Sequence, residues 1–593
     1  MVKARDEVSV EETWDLKTLY EDQQAWNAAF EDVKEKFWPE IDALKGKLSD
    51  GSGIIKKLFT KMHALEEELM RLYTYAHLRH DEDIAKEVHK GAYDRISTLL
   101  YKFSEATAWI EPELLSLPTK TLEALIDDVE LADYKLLIEK TARLKPHTLS
   151  ASEEELLALS GKSLEAASKA FGALNNADLK FPDVKDRQGK DQKLSHGLYQ
   201  THLRSTDRTL RENAFKGFQS AYIGFENTLC ELLSGVVQKH IFNAKARKYS
   251  SCLEAALYPH QIDPQVYTAL IDATHEHLPK LHRFINLRKK LMGLDEIHAY
   301  DLYAPAAEDV EMKFTYDEAV DLVLEAVQPL GPSYCEVLKR GLKEERWVDV
   351  FETERKRSGA YSSGCYESYP YILLNYQGFL NDVMTLAHEA GHSMHSYFTN
   401  QSQPYHQSHY SIFVAEVAST FNEELLFRHL LKNAKSKQER IFLLLQKLDG
   451  IRATFFRQVM FAEFEKQIHE LGEAGAPLTP ATLKKAYRDL NTKYYGPGFT
   501  VDEELDIEFA RVPHFYYNFY VYQYATGISA AFALVEQSLK EGPKRFLDFL
   551  CAGASDYPVK VLKKAGVDMC SSAPVEALLN RFDTLMDELE KEL

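Results

Sequence analysis

Long stretches of this chain repeat apolar residues at steps of three and four, and this spacing restricts the available folds more than any other feature. It runs through Leu65–Leu78, Ser152–Ala173 and Gln438–Phe455, and it is typical of helices with one buried face. Residues that break helices are sparse, since only 20 Pro and 27 Gly occur among 593 residues, so long segments remain uninterrupted. The sequence therefore predicts a mainly α fold.

The length of the chain predicts more than one lobe, because a single hydrophobic core stops growing well below 593 residues. The clearest polar, turn-rich stretch is Asp183–Ser195. We place a boundary after it, which gives an N-terminal helical lobe over residues 1–204 and a second domain over residues 205–593.

The composition argues against several classes of protein. Asp plus Glu number 91 and Lys plus Arg number 71, a net charge of −20, whereas a general nucleic-acid binder needs a basic surface. Six scattered cysteines without CxxC spacing predict reduced thiols in a cytoplasmic protein rather than a disulfide framework. The first twenty residues resemble neither a secretory signal nor a transit peptide.

One uncharged run, Val512–Val535, has the length of a membrane span. It contains five tyrosines together with Pro513 and His514, and so many hydrogen-bonding groups are costly in lipid. We therefore predict a helix that is buried in protein or lines a wet cavity, and no membrane partner.

The sequence HEAGH at positions 388–392 is the motif that carries chemistry. Two histidines four residues apart on a helix differ by about 40° in direction, so His388 and His392 can reach one cation. Glu389 lies beside that cation, where its carboxylate can accept a proton from an attacking water molecule. Gly391 keeps bulk away from the metal. On the motif alone, two unrelated histidines on the surface of a helix remain an alternative.

A catalytic zinc ion usually takes three protein ligands and keeps a fourth position open. Glu416, in the helical stretch FVAEVASTFNEELL, is the best candidate for the third ligand if a loop over Thr399–Tyr410 joins two antiparallel helices. Glu423 lies two turns further along the same face. It either orients a ligating imidazole or is a surface carboxylate, as glutamates usually are.

Signals for strands are few, and the best candidate is Gly359–Tyr376, with the sequence GAYSSGCYESYPYILLNY. It lies immediately upstream of the HEAGH motif. We therefore expect a small sheet next to the helix that carries the two histidines.

Three separated blocks, HEAGHSMH, EVASTFNE and PHFYYNFYVYQYATG, closely resemble the thimet-type M3 metallopeptidases, in particular the oligoendopeptidase F group. The segments RLKPHTLSASEEELL and GAYSSGCYESYPYILLNY agree, and the resemblance spans the chain from about residue 10 to near its end. It implies a two-lobed helical body that encloses a deep substrate channel, with residues 205–593 as the catalytic domain. It also implies one zinc ion per chain and cleavage of internal bonds in short peptides.

Carried onto this sequence, the resemblance assigns the metal and the proton-transfer chemistry to four residues. The zinc ligands fall on His388, His392 and Glu416, and the general base falls on Glu389. A second assignment concerns the substrate backbone. Gly359, Ala360 and Tyr361 begin a stretch that in the family lies beside the substrate, where an edge strand can pair with an extended peptide.

The third block allows a physical interpretation as well. If Pro513 begins a helix, one face of that helix carries His514, Tyr517, Val521 and Tyr524. Phenol and imidazole donors aimed at a scissile carbonyl would stabilise the charge that develops there. The resemblance makes Tyr524 the oxyanion donor, with His514 and Tyr517 binding substrate or assisting. Tyr520 and Tyr522 are assigned to packing or to a channel wall.

Two alternatives to an endopeptidase stay open at this point. An exopeptidase of the same type would need a cationic side chain to capture a terminal carboxylate, and Arg511 is a candidate. A non-catalytic helical protein that binds peptides is the other. Manganese or cobalt can replace zinc at such a site in vitro, and the sequence leaves the oligomeric state open, a monomer included.

Overall fold

The computed structural model describes residues 3–36, 38–307 and 310–593, and most of them are helical. The predicted mainly α fold is confirmed. Within the described ranges, every helix is either too short or too polar to cross a membrane. The contacts between residues group the chain into two compact units.

The first unit combines three segments of chain, Met1–Pro146, Glu311–Lys432 and Ala531–Val567. Trp26, Leu65 and Ile96 are buried in the core of its N-terminal segment. Its α-helices span Gln23–Lys36, Trp38–Asp42, Ser52–Glu82, Glu87–Thr107, Ile110–Ser116, Thr119–Ile126, Lys135–Leu144, Tyr316–Ala326, Pro332–Lys343, Leu380–Ser402, Ile412–Lys432, Lys544–Leu550 and Pro558–Lys564.

The second unit combines His147–Val310, Asn433–Ala530 and Asp568–Leu593. Its α-helices span Ala151–Leu164, Ala166–Ala173, His196–Leu203, Arg208–Ile223, Glu226–Ala246, Cys252–Leu257, Pro264–Leu291, Lys437–Ile451, Arg457–Glu473, Pro480–Tyr495 and Ala573–Glu592. A further helix, Tyr522–Glu541, contains residues of both units.

The units do not follow the boundary that we place after residue 204. Each unit is assembled from three stretches that are distant in sequence, because helices pack by apolar faces that chain order does not reveal. The boundary therefore stays a prediction about sequence domains.

Among the described residues, the strands are short and form three small sheets. In the first unit, Val348–Asp349 pairs in parallel with Tyr371–Leu373, which pairs antiparallel with Tyr361–Ser363. In the second unit, the paired strands are Val184–Lys185 with Asp191–Gln192, and Ile297–His298 with Phe499–Thr500. The three-stranded sheet confirms the strand prediction for Gly359–Tyr376.

Candidate metal centre

The two motif histidines lie on a regular helix, Leu380–Ser402, which we call the histidine helix. Its start is held by Asp382, whose carboxylate accepts the backbone N–H groups of Gln377 and Phe379 at 3.1 and 2.9 Å. Such caps satisfy donors that a helix start otherwise leaves unpaired. One side of the helix is buried in the first unit through Leu386, Ala387, Ala390 and Met394, which leaves His388 and His392 on the other side.

A second helix, Ile412–Lys432, packs against the histidine helix and is called the glutamate helix. The two backbones approach closely at Gly391, where an added Cβ atom would lie 2.5 Å from the carbonyl oxygen of Ala418 and 2.6 Å from Cα of Ser419. Gly391 thus permits the contact between helices. The predicted role of keeping bulk away from a metal stays a prediction.

The close approach brings three donor atoms to one point. Nε2 of His388 and Nε2 of His392 are 3.2 Å apart. One carboxylate oxygen of Glu416 lies 3.3 Å from the first and 3.5 Å from the second. The structure therefore brings the three predicted ligands together as a group that could hold a metal ion.

Glu423 lies behind this group. Nδ1 of His388 donates a hydrogen bond of 2.6 Å to the Glu423 carboxylate, which directs Nε2 toward Glu416. Burial alone would lower the pKa of His388, but its hydrogen bonds to Glu416 and Glu423 raise it to about 10. The same histidines hold the pKa of Glu416 well below its ordinary value, against the effect of burial.

Glu389 is buried directly after the first histidine. Burial raises the pKa of its carboxyl group, while His388, His392 and a hydrogen bond from the backbone of Ser362 oppose the rise. The strand Tyr361–Ser363 therefore contacts the candidate base.

That strand is an edge of the three-stranded sheet and lies next to the histidine helix, since the hydroxyls of Ser362 and Ser393 are 2.8 Å apart. The sheet beside the motif helix is thus confirmed. Gly359, with φ of +90°, and Ala360 lead into the strand, and the hydroxyl of Tyr361 donates to Asp81 at 2.8 Å.

A cavity of about 910 Å³ lies in the first unit beside this strand. It continues along the histidine helix past Ser396 and Asn400, and residues 362–370 form much of its wall. Cavities of this size are in the range of ligand sites. Cys365 lines the cavity, and burial raises the pKa of its thiol, which favours an unreactive cysteine.

Residues 513–524, which we call the tyrosine segment, belong to the second unit, and their predicted helix is wrong. Pro513–Tyr516 forms a single 3-10 turn, and an α-helix begins only at Tyr522. Between them, Asn518 and Phe519 have φ angles of 49° and 57°. This left-handed conformation ends a right-handed helix.

His514 and Tyr524 nevertheless meet, with Nε2 of the imidazole 3.2 Å from the phenol oxygen. The Tyr517 ring lies 5.8 Å from the His514 ring, and Tyr517 is 58% exposed. The Tyr520 ring lies 5.5 Å from the Tyr524 ring, and the assignment of Tyr520 to packing or to a channel wall stays a prediction. Val521 is fully buried.

Glu465, on the helix Arg457–Glu473, supports the left-handed turn and was missed at the sequence level. It is fully buried, and its carboxylate accepts the backbone N–H of Phe519 at 2.6 Å. Burial raises the pKa of Glu465 to about 8, although this hydrogen bond opposes the rise. The available signal was Asn518, because asparagine tolerates the left-handed region better than most residues.

Arg511, the candidate for carboxylate capture, is already paired. Its guanidinium donates to Glu508 at 2.8 Å. That pairing does not favour a role in binding a substrate terminus.

Two imidazoles and a carboxylate meet at one point in this mostly helical chain, and a second carboxylate, which is buried, lies adjacent to them. This arrangement is the site of a metallopeptidase. Comparison with known proteins gives the family. Residues 201–581 match Peptidase family M3, and residues 113–181 match Oligopeptidase F.

Relatives of known name extend over the whole chain. It is 47% identical over 591 residues to Oligopeptidase PepF of Bacillus subtilis (strain 168). The aligned region covers 99% of this chain and 88% of that relative. It is 39% identical to an Oligoendopeptidase F homolog of Lactococcus lactis subsp. lactis, with coverage of 100% and 99%.

Solved structures agree. A chain from Chlamydophila abortus has a TM-score of 0.97 and 42% identity, with complete coverage of both chains. The oligoendopeptidase-F of Enterococcus faecium has a TM-score of 0.73 and 37% identity, with coverage of 96% and 99%. The protein therefore belongs to peptidase family M3, in its oligoendopeptidase F group, and the family resemblance seen in the sequence is confirmed. It is a metallopeptidase, and the family implies a catalytic metal.

Proposed function

We propose that this protein is a zinc-dependent endopeptidase that hydrolyses internal bonds of short oligopeptides in the cytoplasm. The observation that carries the proposal is the set of three donor atoms 3.2–3.5 Å apart on His388, His392 and Glu416. The relatives named oligopeptidase and oligoendopeptidase F support the substrate class. The family M3 match beginning at residue 201 supports a catalytic domain over residues 205–593.

The donor set fits zinc. Ligands at about 2.0–2.1 Å from a tetrahedral zinc ion lie about 3.3 Å from one another, close to the distances between the three donors here. Two histidines and one glutamate are also a known ligand set for catalytic zinc with an open position. Zinc bound there would supply Lewis acidity and make a water molecule more acidic. We propose one ion per chain.

Glu389 is the general base in this proposal. It takes a proton from the attacking water as the C–O bond forms, and it delivers that proton to the leaving amine as the C–N bond breaks. Its burial keeps bulk water from competing for the proton. Glu423 positions His388 through the hydrogen bond at Nδ1.

The chain offers groups for the substrate as well. Gly359 and Ala360 lead into the edge strand that begins at Tyr361. The backbone of these residues would pair with an extended peptide. From the family resemblance, we assign Tyr524 as donor to the developing negative charge on the carbonyl oxygen. His514 and Tyr517 bind substrate or assist, and the 3.2 Å contact between His514 and Tyr524 supports a joint role.

Peptides of graded length, blocked at both termini, test the proposal when their products are identified by mass spectrometry. The endopeptidase should cut internal bonds, and a chelator should abolish the cleavage. An exopeptidase would leave blocked peptides intact while trimming free ones. Absence of turnover by the zinc-loaded protein on both kinds of peptide would instead indicate a binding protein.

A further inference from the structure

A group of buried and partly buried arginines in the second unit carries more positive charge than its carboxylates balance. Arg457 and Arg511 both donate to the same oxygen of Glu508, each at 2.8 Å. The other oxygen of Glu508 accepts the hydroxyl of Tyr487 at 2.6 Å. One carboxylate thus serves two guanidinium groups, and three donors already occupy it.

A third arginine adds to the surplus. Arg452 is 2% exposed, and its guanidinium carbon lies 5.1 Å from the centre of the Tyr303 ring. It pairs with Asp449 at 3.2 Å, but Asp449 also pairs with the buried Arg288. Two carboxylates, those of Glu508 and Asp449, therefore serve four arginines. An uncompensated charge in a protein interior is costly, so a balancing negative charge is expected nearby.

The carboxylate of Asp301 does not supply that charge. It is fully buried, and it is bound by two other arginines, Arg208 at 3.0 Å and Arg211 at 2.8 Å. Arg288 contacts only the backbone carbonyl of Asp301. The surplus on the four arginines remains after Asp301 is counted.

A small cavity lies beside these arginines. Its free volume is about 10 Å³, and its wall includes Arg457, Arg511 and three tyrosines, Tyr199, Tyr303 and Tyr495. Glu508, the carboxylate that the two arginines already share, also lines it. A volume of this order admits one particle of about the size of a water molecule. Nε of Arg511, which lines the cavity, is buried without a hydrogen-bond partner among the described residues. Nη1 of Arg452, outside the wall, is also without one.

We infer that this cavity binds a single small monovalent anion of the halide class, such as chloride. The anion would accept N–H groups of Arg457 and Arg511 and phenol O–H groups from the tyrosines of the wall, and its charge would offset one arginine. A water molecule could satisfy the donors but would leave the charge unbalanced. The small free volume favours such an ion over phosphate, sulfate or a carboxylic acid.

One protein group competes with the anion for this role. Burial alone would raise the pKa of Tyr303, but Arg457, Arg452 and Arg511 lower it below its ordinary value. An ionised Tyr303 would supply a negative charge without any ligand. The experiment must separate these two sources of charge.

The test measures thermal unfolding of the full-length, metal-loaded protein at constant ionic strength, with sodium chloride or bromide replacing sodium gluconate, whose anion is too large for the cavity. The midpoint temperature should rise with halide concentration and reach a plateau. In Arg511→Gln, the halide concentration for half of the effect should increase by roughly tenfold or more, because a charge-assisted hydrogen bond is lost. Arg283→Gln, which changes an arginine paired with three carboxylates elsewhere in the unit, should leave it unchanged.

A crystal grown in bromide supplies a readout that needs no variant. An anomalous peak in the cavity between Arg457 and Arg511 is the expected result. Identical unfolding curves in halide and gluconate, with no anomalous peak, would overturn the inference in favour of a water molecule. A tyrosinate absorbance band at neutral pH that disappears in Tyr303→Phe would overturn it in favour of the ionised phenol.

Discussion

The candidate metal centre and the tyrosine segment hold their proposed functional side chains on opposite kinds of backbone. The histidine and glutamate helices are regular, and their donors follow from a spacing of four residues and one close contact at Gly391. The tyrosine segment consists of one 3-10 turn, two left-handed residues and the first turn of a helix. Sequence spacing therefore predicts which side chains meet in the first region, and fails in part in the second.

Removing one metal-binding side chain from the histidine helix should have the largest effect on metal binding and activity. His388→Ala leaves two ligands, and the remaining Glu416 and His392 cannot hold a catalytic metal tightly, so both the bound zinc and the peptidase activity should be lost. Metal analysis and a peptide assay on the purified variant check this. His429→Ala, which changes a histidine near the end of the glutamate helix, should keep both, and zinc retained by His388→Ala would contradict the ligand assignment.

The irregular region should affect turnover rather than metal. Tyr524→Phe removes the hydroxyl group that lies against His514 and keeps the ring. The value of kcat should fall by about 10²–10³, as for the loss of one oxyanion donor, while the bound zinc should stay unchanged. Steady-state kinetics measure the effect. Tyr516→Phe, on a ring that stacks on Phe171, is the control. Equal, small effects of the two substitutions would remove Tyr524 from the mechanism.

The close approach of the two helices has a prediction of its own. Gly391→Ala places a methyl group 2.5 Å from the Ala418 carbonyl oxygen, so the free energy of unfolding should fall by about 1–3 kcal/mol and zinc should bind more weakly. Chemical denaturation and zinc titration measure both.

A second helical glycine provides the control for that substitution. No atom lies within 4 Å of a Cβ at Gly450, so Gly450→Ala should stabilise the protein by about 0.5–1 kcal/mol. A Gly391→Ala variant with unchanged stability and zinc affinity would show that the helices can separate without loss.

The support beneath the tyrosine segment should affect stability alone, through its pH dependence. Because burial raises the pKa of Glu465 from 4.5 to about 8 in the folded protein, its contribution is complete below about pH 4.5 and is lost as the pH rises through about 8. Glu465→Gln keeps an acceptor for the Phe519 N–H but cannot ionise. Its free energy of unfolding should therefore fall less than that of the wild type between about pH 5 and pH 8.

Urea denaturation at several pH values measures this slope. Glu470→Gln, an exposed substitution on the same helix, should keep the wild-type slope. A Glu465→Gln slope equal to that of the wild type would show that the buried carboxyl group does not change its protonation on folding.

The sequence predicts much of the regular region and little of what supports the irregular one. The HEAGH spacing and Glu416 are placed as predicted, because a helix repeats in a known way. Pro513 does not begin the predicted helix, since the turn at Asn518 depends on the distant carboxylate of Glu465. The interleaved units were not foreseen either, because they arise from contacts between stretches that are far apart in sequence.

The most direct test of the account is the turnover and zinc content of Glu389→Gln. The substitution preserves the size of the side chain and all three proposed ligands, but it removes the group that accepts the proton. The account predicts zinc content equal to that of the wild type, with kcat reduced by about 10²–10⁴. Turnover close to that of the wild type in the zinc-loaded variant would contradict the account.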